Sequence, residues 1–310
     1  MLDRVNDLEL GPLHFGIVGA GRLGLAAGRA LQDAGFEVVH VAAASDAGRE
    51  RATSVLAVPA HEDSIAACLH VDCVLLCVPD DRLGEVVAHL ATRPADASPM
   101  RLRFVSMSAA GLAPLAPLAE LGHDVCVLHP VASFTSLDGD ATPFHGAAAA
   151  IGADTDAAST FAHALAHALG LIPFDIAEAA WPAHAAACTA ASAFVGSILE
   201  LTSDLAASAG IQGSAARGAY GALAASAVSN FRATGVPSSS GAIARGDGAA
   251  LRTQIRAVRQ HASSFEEVFD AGTSAAINSA FTSGRIDIET ARALSAAAGA
   301  AFTETIGGTE

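Results

Sequence analysis

The sequence predicts an α/β chain in which a doubly wound, mainly parallel sheet over residues 1–176 is followed by an all-helical region over 177–310. Three observations predict it. Gly19-Ala20-Gly21-Arg22-Leu23-Gly24 reads G-x-G-x-x-G between an apolar strand-like run and a helix-compatible run. Strand-like and helix-like segments then alternate as far as Ile176. Beyond Ile176 the strands stop, and Ala-rich helical patterns take over.

The elements follow in order. Phe15 to Val18 is apolar enough for a buried parallel strand, and Leu23 to Ala34 suits a helix stopped by Gly35. Phe36 to Val41 is the second strand and leads into Ala42 to Asp46. Val71 to Val78 is a third strand. Pro79-Asp80-Asp81 then opens a helix, with proline and acidic residues where a first turn favours them. Leu102 to Met107, Asp124 to Leu128 (ending at His129-Pro130), Ala147 to Ile151 and Leu171 to Phe174 complete the strands, with a helix from about Asp156 to Leu169. In the second region, Glu178 to Gly210 suits one long helix and Ile211 to Ala233 another. Val236 to Gly241 is a loop, and helical patterns resume over Ala249 to Gly272 and from Ile288.

Composition narrows the function. The 310 residues carry a net charge of -15, which argues against a general nucleic-acid or anionic-membrane partner but not against a phosphate held by backbone N–H groups. No signal peptide is read at the start, and no run of about 20 residues is read as apolar enough to span a bilayer. A cytoplasmic location is expected. Cys68, Cys73, Cys77, Cys126 and Cys188 show no C-x-x-C spacing and read as reduced core residues, with no metal site expected. All 17 basic residues are arginines. Schiff-base chemistry and a lysine general acid are therefore excluded.

The glycine turn points to a dinucleotide. In strand–turn–helix context, Gly19 permits the tight turn, Gly21 lets backbone approach a pyrophosphate, and Gly24 lets the helix pack on the strand. The N–H groups opening the helix form the anion site. After the second strand, Ala43-Ala44-Ser45-Asp46 offers no acidic residue at the strand end. Ser45 could bond a ribose hydroxyl or a phosphate, Arg49 and Arg51 could reach a 2′-phosphate and Asp46 could repel it, and the balance leans slightly to NADP over NAD.

The first half resembles the NAD(P)-binding domain of the superfamily that includes pyrroline-5-carboxylate reductase, prephenate dehydrogenase, ketopantoate reductase and 3-hydroxyacid dehydrogenases. Val74-Leu75-Leu76-Cys77-Val78-Pro79-Asp80 resembles its fourth-strand signature, Val105 to Gly111 resembles the fifth-strand turn of the reductases, and His129-Pro130 is similar to a pair after strand six in prephenate dehydrogenases. The resemblance implies that Cys77, Val78, Pro79 and Ser108 lie against the cofactor. Nearly the whole chain resembles a family of oxidoreductases of undefined chemistry, with a Rossmann-like domain followed by a C-terminal domain of unknown function. The matching residues are His129-Pro130 with Ser133-Phe134, Trp181 with His184 to Ala187, Asn230, and Gly241 to Asp247. This implies a 6-phosphogluconate-dehydrogenase-like helical domain that serves substrate binding, and its Ala-rich helices suit close packing and pairing with a second copy as a homodimer.

The candidate catalytic residues follow from position and chemistry. His129 lies at a strand's carboxyl end, where open parallel sheets bind ligands, and His184 lies on the first long helix. Either could relay the proton that accompanies a hydride. Cys188 shares a helix face with His184, as a nucleophile partner or as an inert thiol. Asn230 could bond a substrate carbonyl. Arg245 could clamp a carboxylate, with Asp247 holding that arginine or capping the next helix. His163 and His167 read as a solvated face. The expectation is an NAD(P)-dependent oxidoreductase acting on a small carbonyl, imine or hydroxy acid in a cleft between the domains. The alternative is a nucleotide-binding or sensing protein without catalysis.

Overall fold

The computed structural model describes residues 10–93, 101–235, 241–300 and 302. The chain divides into two compact units, Met1–Thr189 and Ala190–Glu310.

The first unit is built on eight strands: β1 (His14–Val18), β2 (Glu37–Ala42), β3 (Ala60–His61), β4 (Cys73–Leu76), β5 (Arg103–Ser106), β6 (Asp124–Pro130), β7 (Ala148–Ala153) and β8 (Ile172–Asp175). Their order in the sheet is β3-β2-β1-β4-β5-β6-β7-β8. All neighbours pair in parallel except β6 with β7, which pair antiparallel, with His129 opposite Ala150. The parallel sheet expected from the strand–helix rhythm thus carries one reversal. It follows from the connection between those strands, in which the described helical element is a single short turn, Thr142–Phe144. A parallel return would need a full crossover helix.

Side chains alternate across each strand, and the sheet accordingly separates two apolar layers. Phe15 and Ile17 of β1, Cys73 and Leu75 of β4 and Cys126 and Leu128 of β6 face one layer. It is covered by α1 (Arg22–Asp33), α2 (Asp46–Leu56) and α5 (Asp156–Ala168) through Leu25, Leu31, Leu56, Phe161 and Leu165. Val74 and Leu76, Phe104, Val125 and Val127 face the other layer, with Leu83 and Val87 of α3 (Asp80–Ala91) and Leu118 of α4 (Ala116–Glu120). The α2 helix was not read as a helix from sequence, because its Arg-Glu-Arg run and Gly48 dilute the apolar stripe. Ser45 caps it, accepting from Gly48 N–H at 3.1 Å.

The long helix expected from Glu178 is interrupted. Residues Glu178–Ala180 form a tight turn, α6 runs Trp181–Thr189, a π-helical stretch covers Ala190–Phe194, and α7 continues over Val195–Ser208. The division between units falls at Thr189 rather than at residue 176. Trp181, 2% exposed, is built into the second sheet layer, and Glu178 accepts backbone N–H groups of Leu112 and Ala113 at 3.2–3.3 Å. The start of the long helix is therefore part of the sheet unit. The whole stretch Glu178–Ser208 is also long and apolar enough to cross a bilayer, with a window of mean hydropathy 1.4. This corrects the expectation that no such run exists. Ala, Val, Leu and Phe outweigh its scattered polar residues over that length.

The second unit contains α7, α8 (Gly213–Thr234), α9 (Gly248–His261), α10 (Glu266–Thr282) and α11 (Ile288–Ala298). Leu251, Ile255, Ile277, Ile286 and Leu294 form its core. The helix expected over Ala249–Gly272 is broken at Ala262, whose backbone leaves helical geometry before a short turn Ser263–Phe265. Of the loop expected over Val236–Gly241, only Gly241 lies within the described residues.

Candidate functional site

The glycine turn has the geometry that its sequence implied. Gly19 adopts φ +110°, and a Cβ built there would lie 2.3 Å from the Cys77 carbonyl oxygen. A Cβ on Gly24 would lie 1.9 Å from the Gly19 carbonyl oxygen. These two glycines hold β1, α1 and the end of β4 at contact distance, a spacing that side chains would prevent. Gly21 is different. A Cβ there meets nothing within 4 Å, so the space beside it is left open by the protein. Gly21 is also the N-cap of α1, and no side chain caps that helix end. Open space beside uncapped N–H groups suits an anion. Ala20 is buried beneath the turn, Arg22 is exposed and Leu23 packs against the first apolar layer.

A cavity of about 240 Å³ lies alongside. Val18, Gly19, Ala42, Ala43, Ala44, Val78 and Arg82 line it, with Glu62, Asp63, Glu85 and His89 at its acidic side. It spans the carboxyl ends of β1 and β2 and the start of α3. Between β1 and β4 the strand order reverses, which is where open α/β sheets take ligands. Asp63 is held below the usual carboxylate range by the Ile65 N–H and by His89, whose Nε2 lies 2.8 Å away. Beside the cavity, Arg49 donates to the carbonyls of Ala43 (2.9 Å) and Ala44 (3.1 Å) and pairs with Asp46. A guanidinium is thus fixed at the β2 end. Ser45 lies there too, as the cap of α2. Pro79 is the N-cap of α3. Burial pushes the Cys77 thiol up to about 12, which leaves it inert. Ser108 is 6% exposed, and its Oγ accepts from Ala110 N–H at 3.0 Å, ordering the turn after β5.

The two candidate histidines meet. His129 Nδ1 lies 3.0 Å from His184 Nε2, with the rings nearly perpendicular. Cys188 Sγ lies 3.7 Å from the same His184 nitrogen. The ligating atoms of all three residues fall within 4.8 Å of one another. Register explains the arrangement. β5 ends at Ser106 opposite Val127, so His129 projects past the parallel edge while still held by Ala150 of β7. Trp181 seats α6, and one helical turn separates His184 from Cys188. Trp181 and Phe174 present ring contacts to His184 at 5.6 and 6.0 Å between centroids. Burial, then the neighbouring His184, lowers the His129 pKa to about 4 against a weaker pull from Asp80. Burial also lowers His184 and raises Cys188. A neutral thiol beside a neutral imidazole is not an activated nucleophile pair. Sequence reasoning named both histidines and Cys188 but had no signal that the three converge.

The model matches carry this further. Residues 2–130 match a Rossmann-like domain, and residues 147–275 match a domain of unknown function, DUF2520. The chain is a Rossmann-like domain joined to a DUF2520 domain. No curated protein matches the sequence. Among solved structures, a Bacteroides fragilis protein designated an NADP oxidoreductase is 14% identical, with a TM-score of 0.67 over 84% of this chain and 96% of its own. A Coxiella burnetii pyrroline-5-carboxylate reductase is 16% identical, with a TM-score of 0.55 over 93% and 97%. A Plasmodium falciparum pyrroline carboxylate reductase, solved with NADP bound, is 13% identical, with a TM-score of 0.54 over 73% and 81%.

The remaining candidates lie in the DUF2520 part. Asn230 is exposed on α8. Arg245 is exposed on the turn before α9, and Gly246 takes φ +67°. Asp247 caps α9, accepting from Ala250 N–H at 2.9 Å, so of its two expected roles the structure displays the capping one. A groove of about 810 Å³ between α7 and α8 is lined by Glu200, Asp204, Arg217 and Tyr220, none of which the sequence had singled out. On α5, His163 faces Ser159 and Asp175.

Proposed function

We propose that this chain is an oxidoreductase that binds NADP, with NAD as the weaker ligand, and exchanges a hydride with a small carbonyl, imine or hydroxy acid. The observation that carries the reading is the open space at Gly21 beside an uncapped helix N-terminus, in a turn whose other two motif glycines leave no room for a Cβ. The pyrophosphate would sit on the first turn of α1, and the adenosine in the cavity lined by Ala43 and Val78. The preference for NADP rests on Arg49 and Ser45 at the β2 end, where a 2′-phosphate would have to compete with Asp46 for the guanidinium. When bound, the nicotinamide supplies the hydride. The chain's own task is to exclude water, orient the substrate and handle a proton. Proton handling falls to the paired imidazoles of His129 and His184, at the carboxyl edge of the sheet. Arg245 remains the proposed anchor for an anionic substrate group. A cytoplasmic setting suits the five reduced cysteines.

Titration of the purified protein with NADPH and NADH, followed by nicotinamide fluorescence, tests the reading. Saturable binding with preference for NADPH is expected, and Arg49→Ala should erode that preference. A folded protein that binds neither nucleotide would overturn the proposal.

A further inference from the structure

We infer that His129, His184 and Cys188 form a binding site for a divalent transition-metal ion, zinc foremost. The inference goes beyond the oxidoreductase reading, and where the ion is bound it replaces the proton-relay role which that reading gives the two imidazoles.

The geometry comes first. Zinc bound to imidazole nitrogen at about 2.0–2.1 Å and to thiolate sulfur at about 2.3 Å, with tetrahedral angles, places nitrogens about 3.3 Å apart and nitrogen and sulfur about 3.6 Å apart. The structure sets the two nitrogens 3.0 Å apart and the His184 nitrogen 3.7 Å from the Cys188 sulfur. Both agree with those edges to a few tenths of an ångström, and the third edge, from His129 to the Cys188 sulfur, falls within 4.8 Å, so a rotamer change at Cys188 would be needed to close the site.

The scaffold comes second. The donors arise from two elements that are each held independently. His129 lies in β6 paired with Ala150 of β7, and α6 is locked to the sheet by Trp181 and by Glu178 in the turn before it. A preorganised donor set loses little freedom on binding an ion.

The chemistry comes third. Two imidazoles and a thiol form a borderline-soft set that suits zinc, and three protein ligands leave a fourth position for water or a substrate oxygen. Metal binding to a cysteine takes the thiolate, so it would release one proton. The aromatic rings of Trp181 and Phe174 supply an apolar surround. With the ion bound, these imidazoles hold the metal instead of moving a proton. The electrophile in a chain without lysine is then the ion.

The test is titration of the full-length, reduced protein with Co²⁺ alone. Saturation at one ion per chain is expected, with tetrahedral visible bands and a thiolate-to-cobalt charge-transfer band. Trp181 is the chain's only tryptophan and lies 5.6 Å from the His184 ring, so its emission should be quenched in step. Zn²⁺ should displace the cobalt. Cys188→Ser should remove the charge-transfer band, and His184→Gln should weaken binding by more than about 100-fold, beyond the loss typical of outer-shell changes. His163→Ala, on α5, should change nothing. Absence of stoichiometric binding, or binding unaltered by Cys188→Ser and His184→Gln in variants with native circular dichroism, would overturn the inference. NADPH fluorescence on the same preparation reads the nucleotide site separately, so failure of one proposal is distinguishable from failure of the other.

Discussion

The indole of Trp181 rests directly on Gly152 of β7. A Cβ at Gly152 would lie 2.9 Å from Trp181 Cζ2 and 3.2 Å from its Nε1. A Cβ at Gly111, in the turn after β5, would lie 2.8 Å from Trp181 Cδ1. The ring is therefore packed against two backbone positions that have no side chain, and this seat holds the start of α6, which carries His184. Gly152→Ala should displace the indole, lower stability by about 1–3 kcal/mol through overpacking, and shift the single tryptophan's emission. Thermal unfolding and fluorescence on the same sample read both effects. An unchanged spectrum would show that α6 tolerates the intrusion.

The three motif glycines should separate fold from binding. Gly21→Val places its side chain in open space, so unfolding should be unchanged while NADPH affinity is lost. Gly24→Ala faces backbone at 1.9 Å, and Gly19→Ala at 2.3 Å in a positive-φ conformation. Both should destabilise by several kcal/mol, roughly the cost of strain combined with a clash. Normal NADPH binding by Gly21→Val would place the nucleotide elsewhere.

Asp247 should act on stability. Its carboxylate caps α9 through the Ala250 N–H, so Asp247→Ala should cost about 1 kcal/mol in chemical denaturation. Asp247→Ser should recover most of that. A full loss of turnover in the well-folded Ser variant would instead assign Asp247 to the substrate.

Acid sensitivity should trace in part to His123. Burial, then Arg93 and Arg101, lowers its pKa, and its Nδ1 accepts the Leu102 N–H at 3.2 Å. A histidine with a depressed folded pKa binds its proton more readily in the unfolded chain. Its contribution is therefore present above about pH 6.5, the unfolded value, and is lost as pH falls below it. His123→Asn, which keeps an acceptor, should flatten the decline in melting temperature between about pH 7 and 5.

The exposed apolar faces of α8, of α7 and of the π-helical turn before it bear on assembly. Phe194, Ile198, Leu223, Val228 and Phe231 are between 44% and 67% exposed. We expect a second copy to cover them, making a homodimer through the DUF2520 domain. Light scattering after size exclusion should give twice the chain mass, and Phe231→Glu should give a monomer. A monomeric wild-type protein would refute the dimer.

Much of this was legible residue by residue. The Gly19–Gly24 turn, the Pro79 start of α3, the Gly35 stop of α1 and the Asp247 cap all rest on local backbone preferences, which act over a few positions. The strand candidates were found because buried parallel strands are continuous apolar runs. The reversal at β7, the break at Ala262 and the placement of Trp181 in the sheet were not legible. The reversal is decided by a connection with too little helix for a parallel crossover, and the other two by what packs against the segment rather than by the segment itself.

The sequence by itself determined the elements, their alternation, the phosphate-binding turn and the exclusion of lysine chemistry, because these follow from periodicity, glycine geometry and composition. Only the tertiary structure decided that His129 and His184, 55 positions apart, lie 3.0 Å from one another with Cys188 beside them. That contact requires the antiparallel pairing of β6 with β7 and the seating of Trp181 against Gly111 and Gly152. Both are long-range packing outcomes that no local pattern in the chain encodes.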